Sequence, residues 1–163
     1  MAESTKKPLW RAREINPALR PFTQKLNPNS LFRAAGLSRL AGMSRAHVSL
    51  VRLPPGKQSF AKHAHMLEEE WIYILSGRAV AEIGGEETEV GPGDFMGFAT
   101  PSAAHVLRNP FEEECTYLMG GEDRPIDVVD YPELNKRYLS MQTEAGQEYY
   151  ELGEPTNPFG KPD

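Results

Sequence analysis

The sequence predicts an all-β chain, a sandwich or barrel of short strands. Three observations predict it. Gly and Pro, 14 each in 163 residues, exceed the roughly 12% combined share of an average protein. From Ala46 onward, alternating apolar and polar runs of four to eight residues recur between Gly- and Pro-rich turns, the signature of packed antiparallel strands. The length suits one ordinary domain with its own core.

Each element follows from local chemistry. Residues 1–45 read as an N-terminal arm with little periodicity, punctuated by Pro8, Pro17, Pro21 and Pro28, with one helical turn expected over Ser30–Ala35 before Gly36. Ala46–Leu53 is the first strand of the main body and stops at Pro54-Pro55-Gly56. Phe60–His65 is the second, and Glu70–Leu75 the third, ending at Ser76-Gly77. Ala79–Ile83 and Glu87–Val90 flank Gly84-Gly85, a tight-hairpin signal. Gly91-Pro92-Gly93-Asp94 is a turn in which Asp94 supplies turn chemistry. Phe95–Ala99, His105–Asn109, Glu114–Gly120 and Ile126–Tyr131 complete the body, 46–131. Residues 132–163 form a short C-terminal extension, with a helix expected over Glu133–Leu139 and an irregular end from Gly153.

Composition excludes several functions. No apolar run approaches the eighteen or so residues of a spanning helix, and no apolar signal core opens the chain. A single cysteine, Cys115, allows no internal disulfide framework and fits a reducing cytoplasm; within its strand it reads as a small buried hydrophobe. The net charge of -5 argues against nucleic-acid binding through phosphate contacts. That charge is unevenly spread: residues 1–46 carry nine Lys/Arg against two Glu, and the rest is strongly acidic. A basic arm on an acidic body suggests docking on that body or on a second copy of it.

The chemistry lies in the histidines. Three of the four, His63, His65 and His105, sit in or beside strands, whereas His47 begins the first strand without a partner at ligand spacing. Residues i and i+2 of a strand share a face, so His63 and His65 project together, about 7 Å apart along the chain. Parity places Glu70 with Ile72 and Ile74 on one face, and Trp71, Tyr73 and Leu75 on the other. A carboxylate heading an apolar, inward face is costly to bury unless a cation offsets it. Parity turns Glu69 the wrong way. Lys62 and Arg108 flank ligand positions but face outward.

These residues resemble the two motifs of the cupin superfamily. The first reads Gly56, six residues, His63-Ala64-His65, four residues, Glu70, six residues, Gly77; the second reads Gly93, seven residues, Pro101, three residues, His105, three residues, Asn109. Gly56 lies one residue further from His63 than the family pattern, Pro101 is displaced, and no Gly precedes His105. The spacer, residues 78–92, is short, as in small single-domain bacterial cupins. The resemblance implies a double-stranded β-helix, or jelly-roll, barrel. It implies one divalent metal ion held by His63, His65, Glu70 and His105, with three imidazoles and a carboxylate suiting Fe, Mn, Ni, Zn or Cu. On a six-coordinate ion, two positions stay open for water, dioxygen or a chelating substrate.

The expected function is that of a small metalloenzyme acting on a small polar metabolite, dioxygenase-like or isomerase-like. A sugar or sugar-phosphate isomerase needs a general base and phosphate-binding cations inside the barrel. The assigned inward positions (Ser59, Ala61, Ile72, Ile74, Ala79, Ala81 and Leu107) supply neither. The alternative is a non-catalytic metabolite-binding cupin. Homodimers are common in the family the chain resembles, so a homodimer is expected, with a small-molecule ligand and neither nucleic acid nor membrane as partner.

Overall fold

The computed structural model describes residues 6–155; the first five residues of the arm and residues 156–163 of the C-terminal extension lie outside them. Among the described residues the elements run α1 (Ala12–Ile15), β1 (Arg20–Gln24), β2 (Asn27–Gly36), α2 (Leu37–Ala41), β3 (Ala46–Leu53), β4 (Ala64–His65) and β5 (Glu70–Ser76). They continue as β6 (Ala79–Ile83), β7 (Glu86–Val90), β8 (Phe95–Phe98), β9 (His105–Arg108), β10 (Cys115–Glu122), β11 (Ile126–Tyr131), β12 (Lys136–Thr143) and β13 (Gly146–Glu151). One layer is a six-stranded sheet in the order β1-β2-β3-β10-β5-β8. The facing layer combines a four-stranded sheet, β13-β12-β11-β4, with a three-stranded one, β7-β6-β9. An antiparallel bridge between His63 and His105 links these two smaller sheets. No described helix is long and apolar enough to cross a membrane.

Alternation decides what the layers enclose. Val51 and Leu53 of β3, Ile74 of β5, Leu107 of β9, and Cys115 and Tyr117 of β10 are at most 1% exposed. They form the dry centre between the layers. Ser59, Ala61, Ile72, Ala79 and Ala81 are buried with them, as parity predicts. Tyr73 and Leu75 are exposed on the outer face. The hairpin at Gly84-Gly85 forms with both glycines at positive φ, 61° and 92°. Asp94 closes its turn by accepting the Gly91 N–H at 2.7 Å. Gly77 is irreplaceable for two reasons: its φ is +71°, and a Cβ there would lie 2.3 Å from the Glu114 carbonyl oxygen.

Three sequence expectations need correction. Ser30–Ala35 is no helical turn; it lies within β2, which pairs with β1 on one side and β3 on the other. Through β1 and β2 the arm is thus built into the main sheet. Proline obscured this, since Pro21 lies on the edge strand β1 and Pro28 near the start of β2, positions where a missing N–H breaks no central ladder. Phe60–His65 is not a continuous strand: only Ala64–His65 pairs as β4, and the preceding residues form an irregular rim. Glu133–Leu139 is no helix either. A short 3-10 turn at Pro132–Leu134 ends at Asn135, whose φ of 49° turns the chain into β12. That strand pairs with β11 and with β13, an unanticipated partner.

Candidate metal centre

The bridge between His63 and His105 is reciprocal: the His63 N–H donates to the His105 carbonyl at 3.1 Å, and the His105 N–H to the His63 carbonyl at 2.8 Å. Two of the predicted residues are therefore cross-strand neighbours, with ring centroids 4.7 Å apart. His65, two residues from His63, pairs with Val129 of β11. Glu70 heads β5 in the opposite layer and points inward beside Ile72. The two layers thus bring His63, His65, Glu70 and His105 together from three sheets.

Their geometry is convergent. Glu70 Oε2 lies 3.3 Å from His65 Nε2, 3.3 Å from His105 Nε2 and 3.8 Å from His63 Nε2. Ligand atoms of His63, Glu70 and His105 all fall within 4.8 Å of one another. Each imidazole presents Nε2 because Nδ1 is engaged elsewhere. His63 Nδ1 faces the Ala61 carbonyl at 2.8 Å, His105 Nδ1 the Ala103 carbonyl at 3.0 Å, and His65 Nδ1 the Asp127 carboxylate at 2.5 Å. Those acceptors engage Nδ1 of each ring and turn all three Nε2 atoms toward one carboxylate oxygen. Such a cluster needs a proton or a metal ion at its centre, and without an ion His65 keeps the proton. His65 Nε2 is buried and makes no hydrogen bond. This donor set fits a divalent cation: neutral imidazole nitrogens and one carboxylate oxygen, oriented by outer hydrogen bonds.

Titration follows the same crowding. Burial opposes charge on His65, but the Asp127 and Glu70 carboxylates outweigh it and push its pKa up to about 10. Burial likewise opposes charge on Glu70, yet the surrounding imidazoles hold its carboxyl well below the usual carboxylate range. His63 goes the other way, lowered chiefly by burial.

Several supporting residues escaped the sequence reading. Asp127 is 1% exposed and accepts the Leu67 N–H at 2.9 Å as well as facing His65. The alternation of β11 signals its inward side, but nothing local names its partner. Ser102 accepts the Ser102-facing backbone N–H of His65 on its hydroxyl at 2.8 Å and donates its own N–H to the His65 carbonyl at 2.8 Å. Phe98 stacks on the His105 ring, with centroids 3.7 Å apart and planes within 5°. Gln24 of the arm braces the rim: its Oε1 accepts the Ala61 N–H at 2.6 Å, and its Nε2 donates to the Tyr131 hydroxyl at 3.2 Å. Glu68 sits apart from Glu70, near His65 and Asp127, and its Oε1 accepts the Arg124 N–H at 2.7 Å. Lys62 and Arg108 do face outward, ion-paired with Glu82 and Glu87. Asn109 is a buried staple whose amide donates to the Leu53 and Glu113 carbonyls. His47, which has no partner at ligand spacing in the sequence, lies beside the set, with Nε2 3.9 Å from Glu70 Oε1.

The cupin-domain family matches residues 49–121, the stretch that contains all four convergent residues. A proposed sugar phosphate isomerase from Acidithiobacillus ferrooxidans is 31% identical to the chain, with 90% of this chain and 93% of that one covered at a TM-score of 0.81. The chain belongs to the cupin superfamily. A sugar phosphate isomerase of that superfamily from Silicibacter pomeroyi is 24% identical, covering 86% and 90% of the two chains at a TM-score of 0.70. A predicted oxalate decarboxylase from Thermotoga maritima is 20% identical, covering 71% and 99% at a TM-score of 0.61. At those identities the last two share the fold alone. No curated protein matches the chain by sequence.

Proposed function

We propose that the chain is a metal-dependent enzyme that isomerises a small hydroxy-carbonyl metabolite, with sugar phosphates the first class to test. The observation that carries this reading is the convergence of three imidazole Nε2 atoms on Glu70 Oε2 at 3.3 to 3.8 Å. His63, His65, Glu70 and His105 would hold one divalent ion, of Fe, Mn, Ni, Zn or Cu type. Such an ion, when bound, polarises a carbonyl oxygen and eases proton loss from the neighbouring carbon. Support for isomerisation comes from the likeness, at 31% identity over nearly the whole chain, to the Acidithiobacillus protein.

The chain's own residues orient and enclose. Asp127 and the carbonyls of Ala61 and Ala103 hold the rings in their tautomers. Phe98 walls the His105 side and limits water there. Lys62 and Arg108 face away from the interior, so neither is placed to hold a phosphate inside the barrel. Exposed Tyr73, Leu75 and Phe95 on the outer face of the six-stranded sheet support the homodimer.

A second reading, oxygen activation, is favoured by the apolar neighbours of the ligands, Ile72 beside Glu70 and Phe98 on His105. Metal analysis of protein purified without added metal tests the shared premise. One equivalent of a divalent ion is expected in the wild type and a large loss in Glu70→Ala and His105→Ala. Full occupancy in both variants overturns the ligand assignment. With the native ion in place, aldose–ketose interconversion supports isomerisation, and oxygen uptake with candidate substrates supports the second reading. A ligand that binds and never turns over leaves a binding module.

A further inference from the structure

We propose that His47 is the substrate-contacting residue of this centre, accepting a hydrogen bond from a hydroxyl of a small hydroxy acid or hydroxy-carbonyl compound seated beside Glu70. The inference deepens the function proposed above and rests on it for the bound ion.

Sheet register brings His47 there. Gly121 of β10 pairs with His47 of β3 on one side and with Glu70 of β5 on the other. All three stand at one level of the sheet. Strands lie about 4.8 Å apart, so residues two strands apart are roughly 10 Å apart at the backbone. The side chains of His47 and Glu70 meet because the residue between them has none. A Cβ on Gly121 would lie 3.0 Å from His47 Cε1 and 2.3 Å from the Glu69 carbonyl oxygen.

The ring is held in one tautomer. Its Nδ1 donates to the Glu122 carbonyl at 2.9 Å, which leaves Nε2 as the ring nitrogen able to accept. That atom faces Glu70 Oε1 at 3.9 Å, beyond direct hydrogen-bond range. Two acceptors at this spacing are complemented by a donor placed against them, and a hydroxyl supplies one.

Position distinguishes His47 from the other three histidines. They crowd Glu70 Oε2, whereas His47 faces Oε1. Their side chains are 6 to 12% exposed, and that of His47 is 25% exposed. It therefore stands on the solvent side of the carboxylate, beside the ligand set and outside it. A small molecule approaching the ion from solvent meets this ring.

Cobalt(II)-loaded protein, titrated with glycolate and separately with acetate, tests the proposal through the visible spectrum of the ion, independently of turnover. The two probes differ by one hydroxyl. The wild type is expected to prefer glycolate. His47→Ala should reduce that preference about two- to tenfold, the size of one neutral hydrogen bond, with cobalt stoichiometry unchanged. His47→Gln, which restores an acceptor, should recover part of it. An unaltered preference in His47→Ala overturns the proposal, and so does loss of cobalt from that variant, which would make His47 a ligand. A wild-type protein that takes up no cobalt overturns the four-ligand reading and this proposal with it.

Discussion

β5 and β10 run side by side through two contrasting environments. At one end Glu70 lies opposite Gly121, among four histidines; four residues on, Ile74 lies opposite Tyr117 in a dry cluster with Val51, Leu53 and Cys115. The same two strands, with the same alternation, bury hydrocarbon at one end and a carboxylate at the other. The dry end stabilises the fold, since each fully buried aliphatic side chain there contributes about 1.5–3 kcal/mol. The polar end carries a desolvation cost that only compensating charge offsets. Stability and chemistry are thus separated along the barrel within one pair of strands.

That separation can be broken from either end. The largest effect is expected at the dry end. Leu53→Ala should lower unfolding stability by about 2–5 kcal/mol, measured by urea denaturation of the metal-free protein, while the folded variant still binds one equivalent of metal. Loss of metal stoichiometry from the folded variant would show that the two ends are one cooperative site.

Asp127→Asn probes the polar end without touching a ligand. It removes the charge that orients and polarises His65, so metal affinity should fall about 10–100-fold. A competition titration with a chelator measures it. Unchanged affinity would reduce Asp127 to a structural anchor for the Leu67 N–H.

The smallest step, about tenfold, belongs to a pH dependence. In the ion-free centre His65 keeps its proton up to a pKa of about 10, and that proton must leave when Nε2 takes a metal. Acid therefore competes with the ion: apparent metal affinity should weaken about tenfold for each pH unit lowered across pH 9 to 7. At constant ionic strength, titrations at three pH values would reveal it. A flat profile would mean that His65 binds no metal, leaving the centre with three ligands.

Much of this was legible in the chain. β3, β6 and β11 fall at their expected bounds because alternation and the flanking turns are local properties. Parity put His63 and His65 on one face and Glu70 on the apolar face of its strand, and the ligand set followed from the resemblance. β1 and β2 were obscured by proline, whose lost hydrogen bond matters little at a sheet edge or strand start. β12 was hidden because a turn at Asn135 redirects a segment with no strong period of its own. Asp127 and His47 were invisible as site residues: each reaches its partner across strands far apart in sequence, through Gly121 for His47 and through the β4–β11 pairing for Asp127.

By itself, the sequence determined which side chains share a strand face, because the two-residue period is a property of the extended backbone. It also determined, through glycine and proline, where most strands of the main body stop. Only the tertiary structure decided which faces meet and at what register. Register is set by packing and ladder hydrogen bonds between distant strands, and it is register that gathers four imidazoles around one carboxylate.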